Sequence, residues 1–165
     1  MTSPFLIEPL DPSHDRAGFS SGVTALDRYL REQAAQDVRR RVTACYVALD
    51  AAIAKIAGYY TLAAGGVLLN DLPEPLAKRL PRYPAVPVAR LGRLAVDQAY
   101  RGRKLGAALL WDAGLRASRS EVAAFALVVD AKDDSAVAFY LHHGFVPLAG
   151  QSAHLVLPLT SFARP

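Results

Sequence analysis

Residues 100–111 read YRGRKLGAALLW, three cations and two glycines at the head of an apolar run. Where a strand leads into such a stretch and a helix leaves it, free backbone N–H groups and the positive helix end converge on one point, which suits an anion. Gly102 and Gly106 let the main chain approach closely. Arg101, Arg103 and Lys104 add charge that a pyrophosphate can use, arginine with a bidentate fork. A solvated basic turn ahead of an ordinary core helix is the other reading. The stretch is neither a Walker loop nor a dinucleotide fingerprint, and it holds no Asp or Glu for a metal, which argues against bare nucleoside triphosphate chemistry.

Other groups narrow the chemistry. Arg90 and Arg93 interrupt the apolar run VPVARLGRLAVD. A guanidinium there needs an anion, a wet cleft, or an internal ion pair with Asp97 or Asp130. Those two aspartates end strands and suit turn capping or a general base. Glu8, Glu32, Glu74 and Glu121 fall in segments expected to be exposed or terminal. Cys45, in VTACYVAL, reads as a buried, inert thiol. His142 and His143 point about 100° apart on a helix, and no third ligand is spaced to join them, so contacts with the helix end are expected and a metal is not. Trp111, Tyr59 and Tyr60 read as core or cleft-wall aromatics.

The elements that must position these groups follow from periodicity. Leu26, Tyr29, Leu30, Gln33 and Ala34 share helical spacing within Thr24–Arg39, with Thr24 as N-cap. Val42–Asp50 and Lys55–Leu69 are β-prone runs parted by a short turn, an antiparallel pair. Pro73 opens a short helix through Arg79 and Leu80 that Pro81 stops. A strand over Val86–Asp97 leads into the glycine turn. A helix over Leu105–Arg116, a strand over Ala123–Asp130, a helix over Ser135–His143 closed by Gly144, and a last strand in HLVLPL complete a mixed α/β sheet.

Two of these stretches resemble a known family. RLAVDQAYRGRKLGAALL is similar to the acyl-CoA-binding segment of the GNAT superfamily of N-acetyltransferases, whose pattern is Arg or Gln, two residues, Gly, any residue, Gly or Ala. Arg101, Lys104 and Gly106 fall in its frame, with Lys104 where the pattern has its first glycine. DDSAVAFYLHHGF resembles the family's late helix, with Asp133 where Asn is frequent and Ala136, Phe139, Tyr140, Gly144 and Phe145 in register. The resemblance implies one domain over 1–165, a mostly antiparallel central sheet with splayed parallel fourth and fifth strands, and flanking helices. It implies acetyl-CoA as co-substrate, with pantetheine on the backbone of Leu94, Ala95 and Val96. The pyrophosphate would rest on Arg101, Gly102, Arg103, Lys104, Leu105, Gly106 and Ala107, with Asp133 also at the cofactor. Tyr140 is then the acid for the leaving thiolate, since a phenol of pKa about 10 stays protonated at neutral pH. A core tyrosine packed on the sheet is the plainer reading of its helix face.

GFSSGVTALDRYLREQAAQD, GYYTLAAGGVLLNDLPEPLAKRLPRYP and LGRLAVD further resemble the GNAT toxins of toxin-antitoxin operons, which acetylate the amino acid on charged tRNA. This likeness runs from about Phe19 to Phe145. It implies aminoacyl-tRNA, a ribbon-helix-helix antitoxin and a homodimer as partners. The chemistry agrees: an α-amine of pKa near 8 is about a tenth to a third neutral at physiological pH, against roughly a thousandth for lysine, so few bases are needed. Arg93 is the first candidate to hold the acceptor end, with Arg90. Arg39 and Arg40, with Lys78, Arg79 and Arg82, are candidates for the phosphate backbone. Arg39–Arg41 also read as a solvated helix end.

Composition sets the outer bounds. The 165 residues are 52% hydrophobic and 21% charged, the mix of a globular domain. No apolar window is long enough for a membrane span, and the start lacks the pattern of a secretory signal, so a cytoplasmic protein is expected. The net charge of +4 favours a polyanionic partner or serves solubility alone. An acetyltransferase for a small amine or a protein terminus, and a non-catalytic acyl-CoA-binding module, are the rival functions.

Overall fold

The computed structural model describes residues 4–162; the outermost residues of the expected 1–165 domain lie outside the described residues. Its strands are β1 (Phe5–Pro9), β2 (Ala44–Asp50), β3 (Lys55–Leu68), β4 (Ala85–Val96), β5 (Ala126–Asp130), β6 (Val146–Leu148) and β7 (Gln151–Pro158). They form a mixed seven-stranded sheet in the order β1-β2-β3-β4-β5-β7-β6. β4 and β5 run parallel, while β1–β2, β2–β3, β5–β7 and β6–β7 are antiparallel. The helices are α1 (Thr24–Arg28), α2 (Ala34–Arg39), α3 (Glu74–Ala77), α4 (Leu105–Ser118) and α5 (Asp134–His142).

Contacts divide the described residues into two compact units, 4–63 with Gly92–Ala113, and Ala64–Leu91 with 114–162. The core of the first unit gathers Phe19, Tyr29, Leu30, Cys45, Val47 and Tyr59 with Ala95 of β4. Each large apolar side chain buried there contributes roughly 1.5–3 kcal/mol of transfer free energy. A Cβ on Gly58 would come within 2.9 Å of the Ala95 carbonyl oxygen and of Leu109, so only glycine lets β3, β4 and α4 close together there. In the second unit Leu72, Val86, Val88, Ala126, Val128 and Val156 form the core.

The first helix departs from its expectation. Val23, with no side-chain cap, precedes it, and Thr24 is its first helical residue. The N-terminal anchor is Asp27 instead, whose carboxylate accepts from the Ser21 N–H at 2.9 Å and hydroxyl at 2.6 Å. Between α1 and α2 the chain makes one π turn, Tyr29–Gln33, in which the Ala34 N–H reaches the Tyr29 carbonyl. That wider turn shifts the phase of the helix, so Gln33 is exposed while Tyr29, Leu30 and Ala34 are buried. α3 is shorter than expected, and Pro73 stands at its N-cap. Gly144, at φ 96°, closes α5 as its position foretells.

Candidate active site

β4 carries the chain to the glycine turn and ends one residue early because Asp97 turns its side chain back on the loop. The carboxylate accepts from the Ala99 N–H at 2.9 Å and the Ser20 N–H at 3.0 Å, and the Asp97 N–H donates to the Ala57 carbonyl at 2.8 Å. Asp97 is 3% exposed and capped in this way, so of the two roles open to it the turn-capping one holds. A single 3-10 turn, Gln98–Tyr100, then leads to residues 101–104, all exposed.

Two residues of this turn adopt left-handed backbone, Gly102 at φ 80° and Lys104 at φ 61°. Lys104 thus takes the glycine conformation at the position where the family pattern has glycine, and carries its steric cost. α4 starts immediately afterwards at Leu105. From Gly102 to Ala107 no backbone N–H finds an acceptor among the described residues. These donors at a helix start fit a diphosphate. Arg101 is committed elsewhere, since its Nη2 donates to the Ser21 carbonyl at 2.7 Å, while Arg103 lies 5.2 Å from the Tyr100 ring centroid. Leu94, Ala95 and Val96 form the end of β4, beyond the registered parallel pairs with β5, which run from Val88↔Ala126 to Leu91↔Val129.

Arg93, on the same strand, makes no ion pair with Asp97 or Asp130. Its guanidinium lies 3.5 Å from the Tyr29 ring centroid, a direct stack. Tyr29 donates its hydroxyl to Asp37 at 2.8 Å. Hydrogen bonds from Gln33 and Tyr29 hold the Asp37 carboxyl below the usual range. Burial and the bond to Asp37 push the Tyr29 phenol up, against the opposing charge of Arg93. Cys45 is buried, and desolvation raises its thiol to about 12, so it is the inert group expected.

In the second unit Asp133 caps α5, accepting from the Ala136 N–H at 2.8 Å. Tyr140 packs edge-on between Phe139 and Phe145 at 5.2 and 5.3 Å and is 8% exposed. Four other tyrosines are buried, Tyr29, Tyr59, Tyr60 and Tyr100. Each of those donates its hydroxyl to Asp37, the Leu26 carbonyl, Asp112 or Asp50. The Tyr140 hydroxyl has no such partner among the described residues, yet no fully buried side-chain polar atom is left unpaired. The ring is therefore in the core while the oxygen still meets solvent. Burial alone raises this phenol to about 12.

The remaining candidates divide. Arg90 does form the ion pair that was open to it, reaching Asp130 at 3.3 Å, and His154 hydrogen-bonds the same carboxylate. Lys78 pairs with Glu74 at 3.2 Å; Arg79 reaches Thr160 at 3.5 Å and the Phe125 ring at 5.6 Å. Arg39, Arg40 and Arg82 are exposed. Tyr59 and Tyr60 are core residues, but Trp111 is 46% exposed on α4 and so not in the core. His154 and the stacking role of Tyr29 escaped the sequence reading: Tyr29 shows only core spacing, and nothing in YLREQ signals a π turn.

The chain matches the acetyltransferase (GNAT) domain family over residues 41–147, and it belongs to that family. It is 35% identical over 150 residues to a tRNA-acetylating toxin of Mycobacterium tuberculosis, covering 90% of this chain and 88% of the relative. Among solved structures, AtaT complexed with acetyl-methionyl-tRNAfMet superposes with a TM-score of 0.83 at 30% identity, covering 95% of this chain and 96% of the other. A Tyr-to-Phe mutant of AtaT bound to the C-terminus of its antitoxin AtaR and to acetyl-CoA superposes with a TM-score of 0.81 at 25% identity, over 97% and 96% of the two chains.

Proposed function

We propose that this protein is the toxin of a toxin-antitoxin pair, an acetyltransferase that moves the acetyl group of acetyl-CoA to the α-amine of the amino acid on charged tRNA and so blocks translation. The observation that carries the substrate is the likeness to a tRNA-acetylating toxin along 90% of the chain. In this reading the N–H groups of Gly102–Ala107 and the charges of Arg103 and Lys104 hold the diphosphate. Leu94, Ala95 and Val96 offer backbone partners to the pantetheine, Arg101 holds the turn, and Asp133 caps α5. Acetyl-CoA supplies the acyl group as a thioester. The neutral α-amine forms the C–N bond as the C–S bond breaks, the Val96 N–H stabilises charge on the carbonyl oxygen, and the amine's extra proton passes to water. Tyr140 gives its proton to the departing sulfur and regains one from water, a role its uncommitted hydroxyl suits.

Arg93 leads the contacts to the acceptor end, with Arg90, Lys78, Arg79, Arg82, Arg39 and Arg40 along the backbone. The neutralising partner is a ribbon-helix-helix antitoxin whose C-terminal tail wraps the toxin, and the toxin works as a homodimer in the cytoplasm. Among the described residues no helix is long and apolar enough to cross a membrane. The test is to incubate charged total tRNA with acetyl-CoA and the protein and to identify acetylated aminoacyl esters by mass spectrometry, with lysine peptides and polyamines as competitors. N-acetyl aminoacyl-tRNA is the expected product. Transfer to peptides alone would refute the toxin reading, and an inactive protein that retains acetyl-CoA would favour the binding module.

A further inference from the structure

Most cations near the glycine turn are either solvated or tied to an acceptor, but Arg93 is neither. It is half-buried on β4, makes no ion pair among the described residues, and lies flat on a tyrosine. Beneath it the aromatic packing continues into the core. Tyr29 stacks on Tyr59 with centroids 6.5 Å apart and planes 13° from parallel, and Phe19 meets Tyr59 edge-on at 5.6 Å. Tyr59 is pinned in turn, its hydroxyl donating to the Leu26 carbonyl at 2.7 Å. Tyr29 sits at the head of the π turn and is 7% exposed. Its hydroxyl is fixed by Asp37, which Gln33 also holds at 2.9 Å from the end of that turn. π turns of this kind recur where a helix presents a functional side chain.

A guanidinium stacked by its face keeps its rim of N–H donors in one plane, the arrangement that takes two oxygens of a phosphate or carboxylate at once. The Asp37 carboxylate feels the Arg93 charge but makes no ion pair with it, so the guanidinium has no direct anionic partner among the described residues. We infer that Tyr29, held by Asp37 and Gln33 across the π turn, is a positioning residue that locks the Arg93 guanidinium in plane to receive a phosphate of the terminal nucleotides of charged tRNA. This rests on the proposed tRNA substrate. The same rim would also suit the phosphates of CoA, so the two sources must be separated by experiment.

The test measures kcat and KM for charged tRNA and, separately, for acetyl-CoA, in Arg93→Gln, Tyr29→Leu, their double variant, Tyr29→Phe and Arg93→Lys. Loss of a charged bidentate contact is expected to raise KM for charged tRNA about tenfold or more in Arg93→Gln, with KM for acetyl-CoA unmoved. Tyr29→Leu should raise it similarly, and the double variant should be no worse than Arg93→Gln, because both remove one interaction. Tyr29→Phe, which keeps the ring, should recover most of the affinity. Should Tyr29→Leu not fold, Arg93→Lys reads the same geometry, since lysine keeps the charge without the flat face. Its KM should follow that of Arg93→Gln. Additive effects, a shift confined to acetyl-CoA, a fall in kcat alone, or a parent-like Arg93→Lys would each overturn the inference. A parent protein that leaves charged tRNA unacetylated would instead sink the substrate reading and this inference with it.

Discussion

Tyr140 separates two demands that usually conflict, a buried ring and an available proton. Its neighbours Phe139 and Phe145 fix the ring, and no acceptor within the described chain captures the hydroxyl. Replacing it with phenylalanine keeps the packing and removes only the hydroxyl proposed as the acid. Tyr140→Phe is therefore expected to lower kcat by about 10²–10⁴ with little change in either KM, checked by steady-state rates; parent-like turnover would end its role as acid. With its phenol pushed up to about 12 by burial, Tyr140 stays protonated throughout the neutral range. The fall of activity toward low pH should then follow protonation of the substrate amine, near pH 8, and no alkaline loss should trace to Tyr140 below about pH 10. Stability carries the same sign. The folded value lies above the ordinary value of about 10, so this contribution is whole below pH 10 and is lost as pH rises through about 12. Alkaline unfolding curves of the parent and Tyr140→Phe should diverge only in that window.

At the scale of elements, the turn before α4 combines the right charge with an awkward backbone. Lys104 at φ 61° bears a conformation that costs an L-residue roughly 1–2 kcal/mol. Lys104→Gly should relieve it and raise Tm by about 2–4 °C, while Lys104→Ala loses the same charge and keeps the strain. Equal melting of the two variants would show that the turn is unstrained. Because both lack the ammonium, any difference in KM for acetyl-CoA reports the turn and not the charge. Sequence made α4, β4 and α5 legible because each has a long apolar period and a glycine or aspartate at its boundary. β1 and β6 were not legible. Five residues ending in Pro9, and three containing Pro147, are too short to show alternation, and they gain strand structure only from pairing with β2 and β7. The π turn was equally hidden, since its signature is one hydrogen bond of longer span and not a residue type.

For the whole molecule, what sequence could read of the site was its backbone part: glycines, helix starts and the frame of a motif are local properties. Side-chain pairings between distant segments were beyond it. Arg93 and Arg90 looked alike in one apolar strand, yet one meets the Tyr29 ring and the other Asp130. Ser20 meeting Asp97, 77 positions away, was likewise invisible. Charge, by contrast, sums without regard to such detail. The chain carries 19 Lys and Arg against 15 Asp and Glu, and cations such as Arg28, Lys55, Lys78 and Arg90 face a carboxylate within 4.0 Å. The exposed cations of Arg39–Arg41 and Arg82 add to a field that a phosphate backbone would feel. Binding through such contacts releases counterions, so affinity falls with salt in proportion to the phosphates neutralised. For three phosphate contacts, a fourfold rise in salt should raise KM for charged tRNA about fortyfold. kcat should hold, and KM for acetyl-CoA, whose proposed site is largely main-chain donors, should move far less. A KM for charged tRNA that is flat across that salt range would mean that the cations serve solubility, and that recognition lies wholly in the aminoacyl end.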